Sequence, residues 1–213
     1  MAKAFDPACR QCKRLAGFLH QVSLEYPHYH ARPVPAFGDA EPQLLVVGLA
    51  PGMHGANATG RPFTGDHAGI LLYEALYQHG FSNRAQSLSA NDGLQLQGCL
   101  ITNAVKCLPP NNKPLGEEVK NCRKFLTLEL DAMPPGSVIL ALGTVAHRSI
   151  IAALGLVQKG YLFAHAAEHE LPQNRVLLDS YHCSRYNTQT KRLTASMFHQ
   201  VFKRARTLID DRA

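Results

Sequence analysis

Four short apolar runs punctuate the chain, at Leu44–Leu49, Leu100–Val105, Val138–Leu142 and Val176–Leu178. Each is too short for an ordinary helix and is bounded by turn residues, which predicts buried strands. The stretches between them change period. Apolar positions recur at helical spacing over about Lys13–Val22, Ile70–Gly80, Glu117–Met133, Thr144–Leu154 and Thr194–Ile209, which predicts amphipathic helices. In the second of these, Ile70, Leu71, Tyr73, Leu76 and Tyr77 form the apolar side. In the fourth, Thr144 is placed to cap the helix, Ile150, Ile151 and Leu154 face inward, and His147 and Arg148 fall on the solvated face. Strands alternating with helices argue for an α/β fold: three α/β/α layers around a central, mainly parallel four-stranded sheet. The Pro- and His-rich stretch Tyr26–Pro42 reads as a loop or arm laid over the surface. No composition shift marks a boundary, so residues 1–213 are expected to form a single domain.

The first strand stops abruptly at Gly48-Leu-Ala-Pro-Gly52 and opens into a long loop. That loop carries Gly52, Gly55, Gly60, Gly65 and Gly69 around one aromatic ring, Phe63, and one carboxylate, Asp66. Loops longer than about 12 residues inside compact domains are usually functional. At the carboxyl end of a strand and just before a helix, this one lies where open α/β sheets bind ligands. No Gly-Lys-Ser/Thr follows and no spaced dinucleotide fingerprint is present, which argues against a nucleotide triphosphate. A connector role remains the plain alternative for the loop, and a helix-capping role the plain alternative for Asp66.

An apolar content of 46% and a charged content of 18% describe an ordinary globular chain, neither disordered nor membrane-embedded. No apolar run approaches the roughly 18 residues of a membrane span, and the start Met-Ala-Lys-Ala-Phe-Asp lacks the layout of a secretory signal. The expectation is a cytoplasmic protein, acting as a monomer. Lys plus Arg (22) exceed Asp plus Glu (16), a net +6 that favours a polyanionic partner. The basic residues gather at Lys106, Lys113, Lys120, Arg123 and Lys124, and again at Arg185, Lys191, Arg192, Lys203, Arg204 and Arg206.

Six cysteines occur, and without a secretory signal a disulfide framework is not expected. Cys9 and Cys12 form a C-x-x-C; Cys107 and Cys122 add two thiols in a loop-then-helix context. Four thiols from separate parts of the chain suit a four-cysteine zinc site or an iron-sulfur cluster, and spacing alone does not choose. Cys99, inside an apolar run, reads as core. Cys183 follows His182 directly, but neighbours on an extended segment point to opposite faces, which argues against a nucleophile–base dyad.

A third constellation, Asp179-Ser-Tyr-His182-Cys-Ser184-Arg185-Tyr-Asn187-Thr188, with Lys191 and Arg192 after it, follows the last strand and reaches the same edge of the sheet. It is rich in the hydroxyl, amide and basic groups that contact phosphates. Asn103, near the end of the second strand, reaches that edge too, and its amide matches the donors and acceptors of a nucleobase.

Together these segments resemble the uracil-DNA glycosylase superfamily in its iron-sulfur branches, and most nearly its family 5, or B-type. The resemblance rests on Gly48-Leu-Ala-Pro-Gly52, His54-Gly-Ala-Asn57, Thr59-Gly-Arg-Pro-Phe63-Thr-Gly-Asp66, Thr102-Asn103-Ala-Val-Lys-Cys107 and His182-x-Ser184-Arg185-x-Asn187-Thr188. It runs from Cys9 to about Thr194. It implies that Cys9, Cys12, Cys107 and Cys122 of the N-terminal and central segments hold a [4Fe-4S] cluster. It further implies that Phe63 stacks on a flipped base beside Gly48, Ala50 and Gly52, that Asn103 reads the uracil edge, and that His182 hydrogen-bonds the leaving base. Ser184, Arg185, Asn187, Thr188 and Lys191 would then meet DNA. Leu49 stands where family 4 carries an acidic residue. Two positions depart from family 5: Gly52 where Ala is usual, and Cys183 where Pro is usual.

The implied activity is hydrolysis of the N-glycosidic bond of uracil, and of other deaminated bases such as hypoxanthine, in DNA. With no carboxylate at position 49, Asp66 is the loop's candidate for orienting water or holding Asn103, and Asp66, Asn103 and His182 form the expected catalytic set. The competing reading is a non-catalytic nucleic-acid-binding protein with a structural four-cysteine metal site; a hydrolase using Cys183 trails both. The two leading readings differ in one geometric respect: a glycosylase needs Phe63, Asp66, Asn103 and His182 in one pocket.

Overall fold

The computed structural model describes residues 5–212. Its centre is a six-stranded sheet in the order β1-β3-β2-β4-β6-β5, with β1 at Phe37–Gly38, β2 at Leu44–Gly48, β3 at Cys99–Asn103, β4 at Val138–Leu142, β5 at Glu168–Leu171 and β6 at Arg175–Ser180. The four inner strands are parallel, in register from Leu44 opposite Cys99 to Leu142 opposite Ser180. They are the four strands the apolar runs predict. The two edge strands are additions, both antiparallel. β1 has only two residues, and β5, Glu-His-Glu-Leu, carries charge on an exposed edge, where it discourages pairing with another chain.

Every residue of β2, β4 and β6 is buried. Alternation along each strand divides their side chains between two cores. Leu44, Val46, Ile101, Leu140 and Leu178 pack with Leu72, Leu76, Phe198 and Phe202 of α3 (His67–Gln78) and α7 (Ala195–Asp210). Leu45, Val47, Ile139 and Leu177 pack with Leu126, Leu130, Ile150 and Ile151 of α4 (Gly116–Asp131) and α5 (Thr144–Ala153). Covered on both faces, the inner strands read as continuous apolar runs rather than as alternating ones. The helix α1 (Lys13–Glu25) packs separately, its Leu15 meeting Val105, Cys122 and Phe125.

Several local expectations need correction. α3 begins at His67, and its buried side is Gly69, Leu72, Tyr73, Ala75 and Leu76; Ile70 and Tyr77 are exposed, being a turn's fraction off that face. Thr144 is the first residue of α5 rather than its cap; Gly143, at φ +92°, holds the cap position. His147 is buried at 1% exposure, whereas Arg148 beside it is exposed. Lys106 is buried as well. Its ammonium meets the Thr102 hydroxyl and both oxygens of Glu129, at 2.7 and 2.8 Å, so it faces the protein and not a DNA phosphate. Among the described residues, no helix is long and apolar enough to cross a membrane.

Candidate active site

The carboxyl ends of the parallel strands and the segments leaving them enclose a cavity of about 650 Å³. Leu49 and Ala50 follow β2, Asn103 ends β3, Leu142 and Gly143 end and follow β4, and Tyr181 and His182 follow β6. Phe63 and Asp66, from the glycine-rich loop, complete the wall. Phe63 and His182, 119 positions apart, thus meet because a parallel sheet delivers all its strand ends to one edge.

The glycines of the first loop have specific tasks. A Cβ at Gly48 would collide with Oδ1 of Asn103 and would lie 2.6 Å from Cζ of Phe63, so backbone, amide and ring can be this close only with glycine there. At Gly52 and Gly55 a Cβ would instead strike the carboxylate of Asp66. Asp66 occupies the cap position of α3, yet its side chain makes no capping bond. It turns back and accepts a hydrogen bond from the Ala56 N–H at 3.2 Å, at the start of the short helix α2 (Ala56–Thr59). The capping alternative for Asp66 is therefore overturned, as is a bond from Asp66 to Asn103. Burial raises the Asp66 pKa above the ordinary carboxylate value, against the lowering effect of that N–H and of nearby His54.

Phe63 is buried and adopts φ +57°, a strained conformation for an aromatic residue. Its ring lies nearly parallel to that of His182, with 6.0 Å between centroids and 27° between planes. His182 has an Nδ1 atom that is fully buried and has no hydrogen-bond partner. Burial pushes its pKa down to about 4, so the ring is neutral at pH 7. The next residue, Cys183, is fully buried with its thiol pushed up to about 12 by desolvation, which leaves it in the core and out of the chemistry.

The His182 loop is held by its own polar groups. Ser184 Oγ accepts from the Asn187 N–H and caps α6 (Arg185–Gln189), and Asn187 Nδ2 donates to the His182 carbonyl at 2.8 Å. The Thr188 hydroxyl donates to the Ser184 and Arg185 carbonyls and lies 3.2 Å from His67 Nε2, joining this loop to the start of α3. Arg185, Tyr186, Lys191 and Arg192 are exposed; Arg185, Tyr186 and Arg192 also line the cavity, with the Arg192 guanidinium 4.6 Å from the Tyr181 ring centroid. Of three further wall residues, Phe163 and Val145 lie outside every motif, and Tyr181 sits within the His182 constellation, where nothing in the sequence distinguishes it from its neighbours.

The cysteines divide as their surroundings dictate. Cys9, Cys12, Cys107 and Cys122 converge on one small cavity between α1, the segment after β3 and α4. The Lys106 N–H donates to Sγ of Cys122 at 3.2 Å, and Asn121 Nδ2 donates to Sγ of Cys12 at 3.6 Å. Burial, together with the neighbouring thiols, pushes Cys107 up to about 12. Cys99 is a core residue against α3 and α7.

Residues 35–206 match the model of the uracil DNA glycosylase superfamily. The chain is 46% identical to the type-5 uracil-DNA glycosylase of Thermus thermophilus over 94% of each chain. It is 41% identical to that of Pyrobaculum aerophilum, over 92% of this chain and 87% of the other. The type-4 uracil-DNA glycosylase of Archaeoglobus fulgidus shares 35% identity over 67% of this chain and 58% of its own. With its four parallel strands, its first loop and its His182 segment all inside the matched region, the chain belongs to the uracil DNA glycosylase superfamily, and within it to the type-5 group.

Proposed function

We propose that this protein removes uracil from DNA by hydrolysing the N-glycosidic bond of a nucleotide turned out of the helix. The observation that carries this reading is that Phe63, Asp66, Asn103 and His182 line one cavity. A base must leave the stack before its glycosidic carbon can be reached, and it then needs a flat, mostly apolar slot with polar groups at its edge. Phe63 offers the flat face, with the backbone of Gly48, Ala50 and Gly52 beside it, and Asn103 offers both a donor and an acceptor to the uracil edge. A pure binding module needs a basic groove but no such slot.

As the bond breaks, negative charge grows on the base and positive charge on the sugar. A neutral His182, low in pKa, donates an N–H toward the base oxygen without placing a full proton there, and its strength lies in being fixed in advance in a water-poor site. Asp66, the carboxylate of the first loop, orients the attacking water and favours the cationic sugar. It is held by Ala56 in the space that Gly52 and Gly55 leave open. Arg185 and Lys191, with Ser184, Asn187 and Thr188 shaping their loop, meet the phosphates on either side of the flipped nucleotide. The slot also admits the other deaminated purine-type or pyrimidine bases, hypoxanthine included, in the measure that Asn103 pairs with their edges.

Cys9, Cys12, Cys107 and Cys122 fit a [4Fe-4S] cluster. A single zinc ion draws its thiolates to ~3.8 Å from one another, given bonds of ~2.3 Å in a tetrahedron. The closely grouped metal-type ligands among the described residues, those within 4.8 Å of one another, do not include these sulfurs, so the four surround a wider space. N–H donors on two of the sulfurs suit a cluster as well. Such a cluster would tie α1 to α4, and none of its four cysteines lines the cavity at the strand ends. Incubating the protein with a uracil-containing oligonucleotide and then cleaving with alkali tests the reading: strand scission at the uracil position is expected. Intact strands, with the DNA demonstrably bound, would favour the binding module.

A further inference from the structure

Behind the pocket wall lies a buried group of three titratable side chains that the reaction does not use. His147 of α5 places Nδ1 2.8 Å from Oδ1 of Asp179 on β6 and Nε2 3.0 Å from the carbonyl oxygen of Tyr161. His169 of β5 places Nε2 3.3 Å from the other oxygen of Asp179. A carbonyl and a carboxylate accept hydrogen bonds and cannot donate them. With Asp179 ionised, both bonds form together only when both nitrogens of His147 carry protons, so the geometry favours the imidazolium. Burial alone would lower its pKa; the Asp179 carboxylate and the Tyr161 carbonyl outweigh that and raise it.

The elements joined at this point are those that build one side of the pocket. α5 begins with Thr144 and Val145 in the wall, and β6 runs into Tyr181 and His182. The segment after Tyr161 brings Phe163 into the wall, its ring 5.7 Å from the His147 ring and edge-on to it at 79°. Farther along, that segment is bound to β6 by Ala166 N–H to the Asp179 carbonyl and by Asp179 N–H to the Ala167 carbonyl. Stacking of His165 on Tyr181 at 5.0 Å adds a contact. Upstream of Phe163, the polar ties to α5 are the bond from His147 to the Tyr161 carbonyl and, three residues earlier, that from Gln158 Nε2 to the Arg148 carbonyl at 2.8 Å; only the first adjoins Phe163.

We propose that His147, as an imidazolium clamped between Asp179 and the Tyr161 carbonyl, is a positioning residue for base excision that fixes Phe163 in the pocket wall. The inference rests on the uracil-excision reading. On losing one proton the ring keeps a single donor. The charged Asp179 retains it, because a charge-assisted bond is the stronger, and Tyr161 with Phe163 is released. The other titratable or charged groups around His147 are His169 from β5, Tyr161 itself and Arg148 next in α5, with Tyr181 against Phe163 and His165 stacked on Tyr181.

Two substitutions separate the contacts. Gln at 147 sets its amide N–H near the place of Nε2 and can keep the Tyr161 tie; Asn sets its amide near the place of Nδ1 and cannot. His147→Asn is expected to raise KM for uracil-containing DNA about five- to tenfold, the worth of one hydrogen bond. His147→Gln should stay close to the wild type in KM and should lack the decline in activity expected of the wild type as pH rises above the ordinary histidine range. Because the chain has no tryptophan, Phe163→Trp gives a single indole whose emission should shift over that same alkaline range, and should not shift in the Phe163→Trp/His147→Gln pair. If neither variant folds, nitrogen-resolved NMR of the wild type decides: two ring N–H protons on His147 at pH 7 are expected, and one would overturn the proposal. So would Asn and Gln variants with equal KM, or a zinc-induced rise in melting temperature that His147→Gln abolishes, which would make the cluster an ion site. A wild type inert on uracil-containing DNA would defeat the excision reading, while the indole and NMR measurements, which need no DNA, would still report on the clamp.

Discussion

Thr102 and Asn103 are consecutive residues at the end of β3, and they belong to two polar regions with opposite character. Thr102 faces Lys106 and Glu129, where the ammonium has all three of its donors engaged. Asn103 faces the cavity with His182, whose Nδ1 has no partner, and Asp66, whose carboxylate accepts from Ala56. Both regions are buried and both are polar. One is satisfied by the protein itself; the other is held ready with bonding capacity unused, at a cost in stability that the surrounding sheet must offset. Unpartnered buried polar atoms also occur outside the cavity, at Asn57 and Ser137 for example, so it is their place beside Phe63 and Asn103 at the strand ends that gives those of the pocket a chemical use.

The largest effect that would break this contrast is on the scaffold side. Removing one partner of a buried ion pair costs about 3–5 kcal/mol, so Lys106→Met should lower stability by roughly that much in denaturant titration. The excision rate of the protein that remains folded should be unchanged, and a specific loss of rate at full stability would put Lys106 in the site. His182→Ala should do the reverse. Single-turnover excision is expected to slow by about 10²–10³-fold, the range for removing one preorganised donor, with DNA affinity and melting temperature little altered.

The contrast was only partly legible in the sequence. Continuous apolar runs revealed the four inner strands because those strands are covered on both faces, and the motifs around Phe63, Asp66, Asn103 and His182 sit where strand ends predict a site. The two edge strands were not legible, since two residues of β1 and the charged β5 leave no apolar period. Nor does a lysine's letter say whether it meets a phosphate or a glutamate: Lys106 reads as part of a basic group, yet Glu129, 23 positions later, claims it. His147 reads as solvated because its partner Asp179 lies 32 positions away on another element. Pairing across the fold decides these cases, and spacing along the chain does not carry it.

Smaller effects sharpen the comparison through pH. His182, with its pKa pushed down to about 4 from 6.5, binds its proton more readily in the unfolded chain. Its contribution is therefore full above pH 6.5 and is lost as pH falls toward 4. The ring-carbon shift of His182 in the folded protein should titrate near 4, and a midpoint near 6.5 would contradict the buried neutral ring. His147, raised, has the opposite sign: its contribution is full below 6.5 and fades as pH rises through its higher folded value. The smallest effects belong to the rim. Arg185→Ala and Lys191→Ala should each reduce the slope of log affinity against log salt by about 0.9 if each meets one phosphate. Unchanged slopes would move the DNA off this face.

The central claim is that the pocket's unsaturated groups do the chemistry, and Asp66→Asn tests it most directly. The amide oxygen can still accept from the Ala56 N–H within the same glycine cradle, so the melting temperature should hold. What is lost is the charge. Single-turnover excision of uracil should then fall by at least about 10²-fold, the lower bound for losing a positioned acid–base group, while DNA affinity is retained. An Asp66→Asn protein that excises uracil at the wild-type rate would contradict the account.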